Sequence, residues 1–424
     1  MKRICFVLLV ALSTGATGVL ADWPEFRGPT RDGVALGKLP TEWSEQKNIT
    51  WKRKVDGFGW SAPLIGGGKV WLTTATEDGT KMSVICLDEK SGDVLFDQVL
   101  ITNDNPEALA NKMNSYASST GVLDGDRIYL HFGSYGTICM DTASREIVWQ
   151  RRDFKCSHWR GAGSSLAMWE DQLFLTFDGA DQQYLVSLDK KTGETLWRRD
   201  RSTDFDDIQE DGFPTRFGDF RKAYSTPIFI PVGNQIQVIS TGAKACWAYD
   251  LKTGREIWNV TFANHSGSSR PVYSSELKTV FIDTGLGKPE IWAVKPDPGA
   301  KGDISQSHVI WKITKRAPKR ASCVIENGLF FMASDGVISC ADLKNGKIRW
   351  AERAGVGYSA SLLANAGKVY FLDESGLCTV VKANREFQKL AENRLDDGFM
   401  ASPAADGNAL FLRTKTHLYR VESR

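Results

Sequence analysis

Histidine is scarce. The chain has 5 in 424 residues, too few to favour a multi-histidine metal centre. Its 8 cysteines include no C-x-x-C and no adjacent pair, which argues against a zinc knuckle or a dithiol redox centre. The G-x-S-x-G elbow, H-E-x-x-H and the phosphate-cradling G-x-x-x-x-G-K are all absent, so no catalytic residue is assigned. Neither sign of charge dominates: 53 Lys+Arg stand against 51 Asp+Glu, and nucleic acid is not the expected partner. With 42% hydrophobic and 25% charged residues, the composition excludes a disordered, collagenous or coiled-coil chain.

Long apolar runs are missing too. The one candidate, residues 4–12, falls well short of the ~20 needed to span a bilayer. It follows Lys2 and Arg3 and precedes Val19-Leu-Ala21, the layout of a secretory signal peptide cleaved after Ala21. The expected organisation is therefore a signal peptide at 1–21, an N-terminal extension at 22–48 and a single domain at 49–424. The mature protein is expected to be exported, periplasmic or secreted, soluble and monomeric. Cleavage leaves seven cysteines, an odd number with at least one free thiol.

What the chain has instead is a repeat. A turn followed by a Trp strand appears as Ser187-Leu-Asp-Lys-Lys-Thr-Gly-Glu-Thr-Leu-Trp197, Ala248-Tyr-Asp-Leu-Lys-Thr-Gly-Arg-Glu-Ile-Trp258 and Cys340-Ala-Asp-Leu-Lys-Asn-Gly-Lys-Ile-Arg-Trp350. Cys86-Leu-Asp to Phe96 and Cys139-Met-Asp to Trp149 are further copies; Ala293-Val-Lys-Pro, with a delayed Trp311, is degraded. Each copy has a front half, such as Ser61-Ala-Pro-Leu-Ile, Ser225-Thr-Pro-Ile-Phe, Ser269-Arg-Pro-Val-Tyr and Ala401-Ser-Pro-Ala-Ala. The period averages about 47 residues, with some four short β-rich runs per unit. Eight units predict an all-β protein, an eight-bladed β-propeller of four-stranded antiparallel blades. The last unit stops before its own Trp strand, and Ile49-Thr-Trp51-Lys-Arg-Lys-Val55 supplies the missing strand from the N-terminal side, closing the ring. Trp51, Trp149, Trp197, Trp258, Trp311 and Trp350 recur at one strand position and are expected to fill the blade-to-blade interfaces. The Asp and Gly of each turn read as an acceptor of backbone N–H groups and a positive-φ position.

The pattern Ala/Cys-x-Asp-x-Lys-Thr/Asn-Gly-x-x-x-Trp resembles the pyrroloquinoline-quinone-like (PQQ-like) propeller repeat, over about residues 49–424. The head Trp23-Pro-Glu-Phe-Arg-Gly-Pro-Thr-Arg-Asp-Gly33 is similar to that of exported bacterial proteins with this repeat. Two functional branches share the fold: quinoprotein dehydrogenases, and non-enzymatic scaffolds such as the propeller lipoprotein of outer-membrane barrel assembly, BamB. The first implies an adjacent Cys pair and a calcium site beside the quinone; the chain lacks the pair and shows no matching metal set. The second implies a lipidated Cys, also missing at the cleavage point.

Function is then sought at the channel mouth. The segments crossing from the rim of one blade to the axis of the next carry Trp60, Tyr116, His158, Trp159 and Arg160, then Arg221, Tyr224, His265, Arg270, Arg320 and Tyr358. Cations with aromatic faces suit a planar or carboxylate-bearing ligand, or an acidic protein loop. The expectation is an exported, non-enzymatic binding or scaffold propeller whose small anionic or glycan ligand, or protein partner, meets this basic, aromatic mouth. The alternatives are a PQQ- and calcium-dependent oxidoreductase acting on alcohols or sugars, and a carbohydrate-binding propeller. No cofactor and no metal are expected; the acidic run Asp204, Asp206, Asp207 and Glu210 is a minor calcium candidate against a surface loop paired with Arg216, Arg221 and Lys222.

Overall fold

The computed structural model describes residues 22–423; the expected signal peptide, 1–21, lies outside the described residues. Each repeat folds into one antiparallel sheet. In blade 3, Ala167–Trp169, Gln172–Asp178, Gln183–Asp189 and Thr195–Asp200 hydrogen-bond in chain order from the axis outward. Eight such sheets follow one another, from blade 1, which opens with Leu64–Gly66, to blade 8, which opens with Ala404–Asp406. Blade 8 takes its outermost strand, Ile49–Lys54, from the N-terminal side, antiparallel to His417–Val421. The fold is the eight-bladed propeller that the repeat implies, closed by strands from both ends. Among the described residues no helix is long and apolar enough to cross a membrane.

Burial explains why the second and third runs of each repeat are apolar without alternation. The blades stack face to face, so a middle strand is covered on both sides. Gln183–Asp189 buries every residue from Tyr184 to Leu188, whereas the rim strand Thr195–Asp200 buries only Trp197. The seven cysteines described are all free and buried, small apolar fillers of these interfaces.

The turn between the third and fourth strands is made by its Asp. Asp189 Oδ1 accepts the N–H groups of Lys191 (2.8 Å) and Thr192 (2.9 Å), and Asp250 repeats this with Lys252 and Thr253. The Gly that ends the turn is where the preceding blade docks. The Trp197 ring of blade 3 lies on Gly254 of blade 4, and Trp149, Trp311 and Trp51 lie on Gly193, Gly346 and Gly92 of the blades that follow them. The indole N–H then bonds a carbonyl of the same turn: Trp197 to Leu251 (3.1 Å), Trp149 to Lys190, Trp51 to Glu89 and Trp350 to Asn384 (each 3.0 Å). In these four a large apolar face and its single polar atom are satisfied together, whereas the Trp311 indole N–H has no acceptor among the described residues. Trp258 differs: its N–H bonds Gln237 at 2.8 Å, and Gly302–Asp303 joins its strand as a parallel fifth. That extra strand occupies the site where the degraded repeat lacks its turn.

This joint sets an expected outcome. A Cβ on Gly254 would fall 2.5 Å from the Trp197 ring at φ +65°. Gly254→Ala is expected to cost at least about 2 kcal/mol, combining overpacking with left-handed strain. Gly125→Ala, at φ +60° with open space around it, pays only the backbone share, about 1 kcal/mol. Urea midpoints of the two variants compare them; equal losses would deny the joint its role.

Candidate functional site

An eight-bladed ring leaves its innermost strands facing a channel. Two features fill it. The first is a hydroxyl ring built from the front half of the repeat. The main-chain N–H of Ala62 bonds Thr120 Oγ1 (2.9 Å), Thr120 N–H bonds Ser165 Oγ (3.0 Å), and Ser165 N–H bonds Thr226 Oγ1 (2.9 Å). Arg270, Ser322 and Ser361 continue the series through the hydroxyls of Ser322, Ser361 and Ser402, at 2.9, 3.2 and 2.9 Å. Six of the eight blades thus satisfy the inner edge of the preceding blade. Arg270 and Ala62 hold the two equivalent positions without a hydroxyl.

The second is the head. Trp23 bridges Ile65 of blade 1, Glu25 bridges Val122 of blade 2 and Val34 bridges Ala364 of blade 7. Between these anchors Arg31 bonds Met168 O of blade 3 (3.0 Å), and Arg27 bonds Cys323 O of blade 6. Arg270 reaches from blade 5 to Phe26 O (2.6 Å), Pro227 O (3.0 Å) and Glu25 (3.3 Å). The head therefore spans the channel. Arg27 and Arg270 are fully buried, and burial pulls each guanidinium down to about 10.

Above the head lies a cavity of about 330 Å³, with Phe26 as its floor. Its size is that of a small-molecule pocket. Trp60, Tyr224, Met400 and Met113 form apolar wall; Thr120, Ser165, Ser361 and Ser402 of the hydroxyl ring face it from below. Of the mouth residues singled out in the sequence, Trp60, Arg160, Tyr224, His265 and Arg320 come together on this cup.

The others stand elsewhere. Tyr116 and His158 lie behind the wall on a separate void of about 20 Å³. Tyr116 donates to Glu107 O at 2.8 Å, and the His158 ring lies 4.9 Å from Tyr224. Trp159 is on the rim, with the Lys222 ammonium 3.0 Å from its ring centroid. Arg221 turns outward to Asp207 (Nε to Oδ1 3.1 Å), Arg270 lies under the floor, and Tyr358 is buried against Phe371.

The cations at the mouth are paired rather than free. Arg160 makes a bidentate contact with Asp219 (2.8 Å twice), Lys222 Nζ is 2.8 Å from the same carboxylate, and Arg320 bonds Glu374 at 2.6 Å. Burial would raise the Asp219 carboxyl, but Arg160 and Lys222 outweigh it and hold the group well below the usual range. Burial draws the Lys222 ammonium down to about 8 and the His265 imidazole below its ordinary value. In the acidic insertion Asp207 is taken by Arg221 and Asp204 caps the N–H of its neighbour Asp206 at 3.0 Å. No three His, Cys, Asp or Glu side chains among the described residues stand close enough to share a metal ion.

Sequence reasoning missed three things here: the hydroxyl ring, the Phe26 floor, and Asp219 and Glu374 as partners. The ring had a signal, since Ser or Thr recurs beside the Pro or small residue of the front half. Phe26 had none, because the head lies outside the repeat.

Burial holds the His158 imidazole neutral, with its pKa down to about 4 from 6.5. Between those values the unfolded chain takes up a proton that the folded one refuses, so stability is lost as pH falls from 6.5 to 4. His158→Asn is expected to flatten the fall of Tm over that interval, by roughly 3 kcal/mol at its lower end. Parallel melting curves of the two proteins would expose a different cause.

Comparison with known proteins follows the fold. BamB from Moraxella catarrhalis superposes with a TM-score of 0.58 at 11% identity, covering 88% of this chain and 99% of that one. A europium-containing methanol dehydrogenase gives 0.69 at 11%, covering 94% and 91%. A quinohemoprotein alcohol dehydrogenase from Pseudomonas putida gives 0.63 at 10%, covering 95% and 80%. At these identities the likeness is one of fold. No curated protein matches the sequence. A family model described as outer membrane protein assembly factor BamB matches residues 136–424, more than half of the chain, and the protein belongs to that PQQ-like propeller family.

Proposed function

We propose that this is an exported binding protein, whose ligand enters the cup at the channel mouth and rests on the head. One observation carries the reading: the head crosses the channel, and its Phe26 lines a pocket of about 330 Å³. The Trp60 side chain is only 8% exposed, lines that pocket, and has an indole N–H without an acceptor among the described residues. A buried donor left unmatched costs free energy that a ligand oxygen recovers. The paired carboxylates and arginines at the rim orient a ligand by hydrogen bonds rather than by net charge.

The quinone and calcium that the fold family implies do not fit these residues. The two carboxylates nearest the cup, Asp219 and Glu374, each bond an arginine, and no adjacent cysteines stand beside it. A second reading, a protein partner seated on the rim, is favoured by exposed apolar side chains there: Phe217 at 79%, Val356 at 66% and Met113 at 52%. Patches of this kind commonly mark contact surfaces.

The test is a thermal-shift screen of small metabolites, repeated on Ser268→Trp, which fills the cup from a half-exposed wall position. Ligands that raise Tm are expected to lose their effect in this variant. Arg160→Ala with Arg320→Ala is expected to weaken the same ligands while costing under about 1 kcal/mol per half-exposed ion pair. A parallel fluorescence titration with pyrroloquinoline quinone, with and without calcium, is expected to show no saturable binding. One-to-one saturation at micromolar quinone would replace the binding-protein reading with a quinoprotein.

A further inference from the structure

The chemistry around the cup floor is one-sided. Two fully buried guanidiniums, Arg27 and Arg270, stand here, and among the described residues the one carboxylate that bonds either is Glu25. Glu25 is shared with Arg31, which bonds it at 2.7 Å. Arg27 finds only main-chain oxygens, through Nη2, and its Nε and Nη1 have no acceptor among the described residues. The Asp32 carboxylate acts on Arg27 through space without bonding it, and a buried guanidinium with unmatched N–H groups is costly unless something supplies an acceptor.

The hydroxyl ring above points the same way. Thr120, Ser165, Ser361 and Ser402 each use the oxygen to accept a neighbouring blade's N–H, and none of them donates its proton to another described group. Trp60 Nε1 and Arg320 Nε on the walls are likewise donors without acceptors. So the buried unspent groups named here are donors, close to the two buried guanidiniums and beneath walls that are aromatic and thioether. Inorganic anions would satisfy the floor but leave the walls unused.

Building on the cup as a binding site, we infer that its ligand is a small organic carboxylate, with the carboxylate down on the hydroxyl ring above Arg27 and Arg270 and the apolar body between Trp60 and Tyr224. Charge-assisted bonds to a carboxylate are stronger than those to a neutral carbonyl of the same shape, so the acid and its amide should be told apart.

Calorimetric titration of the whole mature protein with benzoate, phenylacetate and hexanoate, with benzamide and phenylacetamide as neutral matches, and with inorganic phosphate, tests this. At least one carboxylate is expected to bind one-to-one with a Kd below about 1 mM and about tenfold or more tighter than its amide. Ser268→Trp is expected to abolish that binding. Ser402→Ala, which removes one ring donor, is expected to weaken the carboxylate more than the amide and so narrow the ratio between them, with circular dichroism checking the fold. Acid and amide binding equally, both lost in Ser268→Trp, would overturn the carboxylate and keep the cup. Binding that survives Ser268→Trp would overturn the cup as the site. Phosphate binding as tightly as the best carboxylate would assign the floor to inorganic anions. No carboxylate binding in the unmodified protein would overturn the inference, even where the metabolite screen finds another ligand for the cup.

Discussion

The joint between neighbouring blades is an indole lying on a glycine. It recurs because the blade turn has a fixed chemistry: an Asp that gathers the N–H groups, then a residue at positive φ whose missing side chain leaves a flat place. Trp197 on Gly254 buries a ring and spends its N–H on Leu251 in one contact. Each joint sets the spacing of two sheets, and four of the eight blade interfaces are built this way. Where the joint is altered, the chain compensates nearby. Phe96 of blade 1 meets the Arg145 guanidinium at 4.5 Å in place of a glycine, and Gly302–Asp303 covers the strand of Trp258.

A ring held at its rim leaves a hole at its axis, and that is where this molecule differs from a generic propeller. Inner edge strands expose N–H and C=O groups that must be satisfied. The hydroxyl ring does this blade to blade at the axis, and the head does it across the channel. Arg270 links them: its main chain belongs to the ring, through Ser322, and its guanidinium holds Phe26 and Glu25 of the head. A buried arginine at a position where six other blades carry Ser or Thr is tolerable only because the head brings a carboxylate and carbonyls to it.

Closure at one end converts a channel into a cup, and pairing at the rim governs its electrostatics. Asp219 takes both Arg160 and Lys222, and Glu374 takes Arg320. Positive charge instead collects underneath, on Arg27 and Arg270. The mouth as a ring of free cations is thus replaced by a rim of paired charges over a positively charged floor. Low dielectric below and solvent above make the second arrangement the more selective, since screening acts on the rim and spares the floor.

The fold was legible in the sequence because a propeller is a sum of local patterns. Asp-x-Lys-x-Gly turns, the Trp spacing and the Ile49–Lys54 strand each lie within a few residues of their own effect, and repetition averages out the degraded copies. Five mouth residues were legible for the same reason: the topology sends every blade-to-blade segment to the same end. Their meaning was not. Whether Arg160 faces a ligand or Asp219 depends on an insertion nearly 60 residues away. Whether Arg270 lines the mouth or supports the floor depends on Glu25 and Phe26, about 245 residues away. Long-range pairing of charges has no period and leaves no local signature, so only the closed ring, which brings residue 26 to the axis of all eight blades, decided where the charge and the cavity would be.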